Sequence, residues 1–186
     1  MSKYWLMHSG TKIHLDNMSI DDINLDDIAH HLTKICRYGG GLKLNHHYSV
    51  ANHSIALYYY AMDQGLPLEV QKCLLMHDAT EAYLGDVNGI LKLWLPDYME
   101  IEEMVKQLIW SKYQLPDDPM VDEIVNQLDK RILLDEAKAF YKDKYKHFAD
   151  QYPHLTPLNI KLYPEQELSI TKAMFLHCCN QLNIFD

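Results

Sequence analysis

Apolar residues recur at helical spacing in six stretches of this chain. Residues 26–36 (DDIAHHLTKIC) follow Asp21, Asp22, Asp26 and Asp27, which supply N-capping chemistry, and they read as a helix. Arg37-Tyr38-Gly39-Gly40-Gly41 closes it, and the glycines let backbone approach a ligand closely. Residues 48–63 place Val50, Leu57, Tyr60 and Ala61 on one face, and Gly65-Leu66-Pro67 ends that run. A further helix is expected over 68–84 on Val70, Leu74, His77 and Glu81, and another over 98–114 on Met99, Ile101, Met104, Val105, Leu108 and Ile109. Pro116 and Pro119 precede a long helix over about 120–147. Pro153, Pro157 and Pro164 mark a loop before a closing helix over 165–182. Only residues 4–15 (YWLMHSGTKIHL) alternate, around Ser9-Gly10, and they read as a small β-hairpin. The pattern predicts one almost all-α domain over residues 1–186, with six or seven helices and at most that hairpin.

Three apolar stripes are interrupted by residues that can ligate a metal. His53 lies on Val50–His53–Leu57–Tyr60, His77 on Val70–Leu74–His77–Glu81, and Asp129 on Val125–Asp129–Ile132–Glu136. Taken alone, a histidine on such a stripe is more often a hydrogen-bonded core side chain, and Asp129 has Lys130 and Arg131 beside it as partners. The stretch from His77 to Lys92 (HDATEAYLGDVNGILK) is different. His77, Asp78, Glu81 and Asp86 crowd one helix end, and unpaired buried charge is costly. A helical start puts Glu81 one turn from His77. An imidazole beside a carboxylate suits a divalent metal, with the next carboxylate placed to handle a water proton. His53 and Asp129 are then the natural completing ligands. The remaining histidines, His8, His14, His30, His31, His46, His47, His147, His154 and His177, show no fixed spacing.

Composition narrows the partners. The 186 residues are 48% apolar, with seven glycines and seven prolines, as in a globular chain. A formal charge of −9 argues against long nucleic acids, which need a basic stripe, but leaves room for a small phosphorylated ligand. Cys36, Cys73, Cys178 and Cys179 have no CxxC spacing and read as reduced, mostly core residues. Lys3, His8 and Lys12 interrupt the N-terminus before a signal-like run develops, and no apolar stretch approaches the roughly 18 residues of a membrane helix. A soluble cytoplasmic protein with no membrane partner is expected.

The ordered set His53 … His77-Asp78 … Asp129 resembles the H…HD…D signature of HD-domain phosphohydrolases, over about residues 26–140. Arg37-Tyr38, the segment Tyr48-Ser-Val-Ala-Asn-His53-Ser54, and His77-Asp-Ala-Thr-Glu81 with Leu84-Gly-Asp86 and Lys92 narrow the likeness. They resemble the branch holding 5′-deoxynucleotidases and small phage deoxynucleoside triphosphohydrolases, most of all the phage dATP triphosphohydrolases. Two positions depart from that pattern. Tyr38 stands where tryptophan is frequent, and Val87-Asn88-Gly89 replace prolines after Asp86.

The resemblance implies an HD-domain bundle in which His53, His77, Asp78 and Asp129 hold one divalent ion: Co²⁺, Mn²⁺, Fe²⁺ or Zn²⁺, with Mg²⁺ accompanying a triphosphate. It implies that Glu81 acts on the attacking water and that Asp86 lies near the sugar or that water. Arg37, Tyr38 and Lys92 would face the nucleotide, with Lys34 and Lys43 as spare cations for a phosphate chain. The expected activity is attack at the α-phosphate of dATP, releasing triphosphate. Hydrolysis of dNMPs, or of mono-, di- and triphosphates alike, is the alternative within the class, and a non-catalytic nucleotide-binding module the alternative outside it. Relatives of this kind are homo-oligomers, and phage-encoded ones work in the host cytoplasm. Tyr58–Tyr60 and the C-terminal helix are candidate contact faces, with core packing as their competing use.

Overall fold

The computed structural model describes residues 3–42, 47–162 and 166–186; Lys43, His46 and Pro164 lie outside them. The chain is mostly helical. A two-stranded antiparallel hairpin, β1 (Trp5–Leu6) and β2 (Lys12–Ile13), pairs Trp5 with Ile13 around the expected turn. The helices are α1 (Leu25–Lys34), α2 (Val50–Asp63), α3 (Leu68–Met76), α4 (Glu81–Leu84), α5 (Gly89–Lys92), α6 (Pro96–Tyr113), α7 (Pro119–Phe140), α8 (Tyr145–Ala149) and α9 (Leu168–Gln181). Local chemistry sets their starts. Asn24 accepts from the Asp27 amide at α1, Ser49 and Asn52 form a capping box at α2, and prolines occupy the first turns of α6 and α7.

The helices share one continuous buried cluster. α2 packs on α3 and α9, α1 on α4 and α9, and α3 on α7, with Ile28, Leu32, Leu57, Leu74, Ile109, Ile132 and Phe175 fully buried. Tyr58 belongs to this core, and Tyr59 and Tyr60 pack against it. All four cysteines are free thiols. Among the described residues no helix is long and apolar enough to cross a membrane.

Two expected helices are shorter than their periodicity suggested. The 68–84 segment leaves α-geometry after Met76. Ala79, Glu81 and Ala82 donate to the carbonyls three residues back, so the chain passes through tight turns before α4. The 120–147 segment ends at Phe140, because Lys142 takes a left-handed backbone (φ 44°), and the chain restarts as α8. α5 was not expected at all.

Candidate metal centre

The turn after α1 is bound to the start of α2. The Arg37 amide donates to the Tyr48 carbonyl (3.1 Å) and the Val50 amide to the Ile35 carbonyl (3.1 Å). This brings Arg37 and Tyr38 beside His53, one turn into α2. Tyr38 holds φ 57°, followed by Gly39 at 57° and Gly40 at 73°. A non-glycine residue in that region stores about 1–3 kcal/mol, tolerated when the surroundings over-determine it. Here the Tyr38 hydroxyl donates to Glu136.

His53, His77 and Asp129 converge from α2, the end of α3 and α7, with ligand atoms all within 4.8 Å of one another; this buried group can hold a metal ion. Asp78 joins them. His53 Nε2 lies 3.1 Å from Asp129 Oδ1 and 3.8 Å from Asp78 Oδ2, and His77 Nε2 lies 3.7 and 3.2 Å from the same atoms. The two Nε2 atoms are 3.3 Å apart.

The outer nitrogens explain why this arrangement suits a cation. His77 Nδ1 donates to the Leu74 carbonyl (2.9 Å), and His53 Nδ1 donates to Glu136 Oε1 (2.7 Å). Neither acceptor can donate in return, so each neutral imidazole turns a bare Nε2 inward. Two nitrogen lone pairs and two carboxylates then face one another, and only positive charge stabilises them together. Donors about 2.0–2.2 Å from a shared ion would stand about 3–3.5 Å apart, close to the spacing seen. Without an ion, protons meet the demand. Burial opposes charge on His77, yet the Asp78 and Asp129 carboxylates draw its pKa well above the ordinary value. Asp78 goes the opposite way: against burial, His77, His53 and Arg37 hold it down to about 2.

Glu136 is the residue that sequence reasoning missed. It has no solvent exposure and receives His53 Nδ1, the Tyr38 hydroxyl, the Tyr48 hydroxyl (2.8 Å) and Arg37 Nη2 (3.5 Å). Burial works against its charge, but Arg37 and His53 hold its pKa down to about 2. Its place on the Asp129–Ile132 stripe was the one available signal.

Around this cluster the expected catalytic and substrate residues sort unevenly. Glu81 is buried at the start of α4, and its Oε2 has no hydrogen-bond partner among the described residues. Burial, reinforced by Asp78 and Asp86, pushes its carboxyl up to about 9. Asp86, also raised by burial, lines a cavity of about 630 Å³ with Arg37, Tyr38, Tyr141, Phe148 and Tyr152. Arg37 Nη1 reaches Asp78 (3.3 Å), while its buried Nε has no partner among the described residues. A second cavity, about 320 Å³, is lined by His77, Asp78 and Asp129 together with Lys92 and Lys106. Lys92 is not a free cation there, because the packing of α5 on α6 pairs it with Glu102 at 2.6 Å. Lys34 is exposed in the last turn of α1, where its charge acts on His30 and His31, and it borders neither cavity. A third cavity, on the far side of Tyr48 and Asn52, contains none of the ligands.

No known family model matches the chain. It is 40% identical over 130 residues to the uncharacterized protein YfdR of Escherichia coli (strain K12), covering 70% of this chain and 68% of that protein. It is also 29% identical over 120 residues to an uncharacterized protein of Rhodobacter capsulatus, covering 62% of this chain and 61% of the relative. The chain belongs to the same family as YfdR.

Proposed function

We propose that this protein is a metal-dependent phosphohydrolase of the HD-domain type that acts on deoxynucleotides, with deoxynucleoside monophosphates as the substrates its cavities suit best. The observation that carries the proposal is the inward convergence of two bare imidazole nitrogens and two carboxylates at 3.1–3.8 Å. A divalent ion held by His53, His77, Asp129 and Asp78 supplies Lewis acidity toward a phosphoryl oxygen and lowers the pKa of water. Mn²⁺, Co²⁺, Fe²⁺ and Zn²⁺ all accept this mixed imidazole and carboxylate set.

The chain's own groups do the rest. A divalent ion beside Asp78 would offset the negative charge that keeps Glu81 protonated, and the ionised Glu81, one oxygen of which has no partner among the described residues, then orients the attacking water and takes its proton. The water oxygen bonds to phosphorus as the bond to the 5′ oxygen breaks, and the departing alkoxide leaves as the nucleoside hydroxyl with one proton. The guanidinium of Arg37 faces the phosphate at the mouth of the larger cavity. Tyr38, Tyr141, Phe148 and Tyr152 give that cavity aromatic walls for a base and sugar, with Asp86 within reach of a sugar hydroxyl.

The charge beside the metal ligands favours the monophosphate over dATP. Lys92 is paired with Glu102, Lys106 with Asp122 at 3.6 Å, and Glu103 lines the same wall. Two further phosphates would enter a space where, among the described residues, the lysines are already paired and the acids outnumber them. The triphosphohydrolase reading, drawn from the resemblance, requires those pairs to open or Mg²⁺ to accompany the chain.

The deciding assay incubates the protein and Mn²⁺ or Co²⁺ with dNMPs, dNTPs and ribonucleotides, then resolves the products. Orthophosphate from dNMPs is expected. Triphosphate from dATP moves the assignment to the second reading. Absence of turnover on every substrate, with metal bound, contradicts an enzyme and leaves a nucleotide-binding module.

A further inference from the structure

A chain of charge −9 that takes an anionic nucleotide must admit it against its own field. Tyr141 sets its ring edge-on to Tyr38 (5.8 Å between centroids) and against Phe148 (4.9 Å), so the chain from the end of α7 into α8 folds back beside the turn that follows α1. Tyr141, Phe148 and Gln151 line the larger cavity. Lysines are interleaved with these rings. Residues 138–148 hold four of the chain's seventeen Lys and Arg residues, Lys138, Lys142, Lys144 and Lys146, against one acid, Asp143. All four lysines are exposed. Lys138 acts on the buried Asp135, whereas Lys142, Lys144 and Lys146 have no ion-pair partner among the described residues. Lys142 follows Tyr141 directly. Lys144 stands one turn before Phe148, so it shares the side of α8 that meets the cavity. Lys142 and Lys144 precede the first turn of α8, the positive end of its dipole, so the helix gains no stability from them.

We propose that Lys142, Lys144 and Lys146 form the electrostatic entrance by which the phosphate of the substrate reaches the larger cavity, an inference that rests on the nucleotide reading above. The three lysines meet the anion first and Arg37 receives it, with Asp78 and the other candidate ligands beyond the guanidinium. The smaller cavity offers no such approach among the described residues, because Lys92 and Lys106 are paired and Glu103 stands beside them. The charges act at range. Screening in 0.1 M salt sets in over about 10 Å, so three unpaired cations still bias the path of a dianion, and charge around a cleft raises association about 10- to 10³-fold. Rim charge of this kind changes the association rate and its salt dependence more than the lifetime of the complex. α8 covers five residues, roughly 8 Å, so the patch suits one nucleotide better than a strand, which needs a groove tracking about four or more.

Stopped-flow mixing of the Zn²⁺-loaded chain with 2-aminopurine deoxyriboside 5′-monophosphate, whose fluorescence falls as the base stacks on aromatic rings, tests this. The triple variant Lys142→Glu, Lys144→Glu, Lys146→Glu is expected to associate about tenfold more slowly than the wild type at low salt, with the difference closing in about 0.5 M NaCl and metal binding unchanged. Should the triple variant fail to fold, Lys144→Gln with Lys146→Gln, at exposed positions, is expected to give a smaller loss that salt also removes. Equal association rates in a folded variant, or a loss that salt does not remove, overturn the proposal and leave the nucleotide reading in place. Absence of nucleotide binding by the wild type overturns both. Tighter binding of a short deoxythymidine strand than of the monophosphate, lost in the same variant, also overturns the proposal, by making the patch a strand-binding surface.

Discussion

A carboxylate without solvent must find donors, and Glu136 finds them on three sides: His53 from α2, Tyr48 before it, and Arg37 and Tyr38 from the turn after α1. It thereby fixes the tautomer of His53, a candidate metal ligand, and the posture of Arg37 together. Glu136→Gln should weaken Mn²⁺ binding about 10- to 100-fold, the usual loss when a ligand's supporting partner is altered, as read by titration of a variant with a native circular dichroism spectrum. Glu81 is the buried acid to which the proposed mechanism gives the water proton. In the folded, metal-free chain its carboxyl keeps a proton up to about pH 9, against an ordinary value of 4.5. Between those values the folded chain binds the extra proton, so raising the pH through the window lowers stability. Metal-free Glu81→Gln should therefore show a flatter urea midpoint across that window, while its metal-loaded turnover falls about 10²- to 10⁴-fold. Loss of the metal in that variant would make Glu81 a ligand instead. The sequence made His53, His77, Asp78 and Asp129 legible because each ligand interrupts an apolar stripe or sits in a dense ionisable patch. It did not reveal Glu136, whose partners are 83 to 99 residues away along the chain.

At the scale of elements, helices whose apolar faces point inward were readable from their spacing: α1, α2, α6 and α9 lie where the periodicity put them, and α7 begins there but ends at Phe140. What failed has physical reasons. Periodicity continues through His77–Thr80 although the backbone tightens there, where two adjacent side chains must serve one site. α5 gave no helical signal because its apolar residues face outward and it spans four residues. α7 matters most to the site, since it carries Asp129 and Glu136 two turns apart with Ile132 fully buried between them. Ile132→Ala should cost about 2–5 kcal/mol of stability through lost burial and a residual cavity, measured by urea denaturation. A change below that range would mean that α7 is not held by this contact.

For the whole molecule, the helices bring three separated segments together so that four electron-rich atoms meet where one cation would satisfy them all. The charge of −9 and the acidic wall beside the candidate ligands fit the proposed small substrate with a single phosphate better than a long polyanion. The proposed activity depends on that cation. Equilibrium titration of the metal-stripped chain with Mn²⁺, followed by the free-ion signal in electron paramagnetic resonance, tests it directly. One saturable ion per chain is expected, with binding lost in His77→Ala and strongly weakened in Asp129→Asn, a half-exposed position whose change spares the core. Absence of saturable binding, or binding that neither substitution alters, would contradict it.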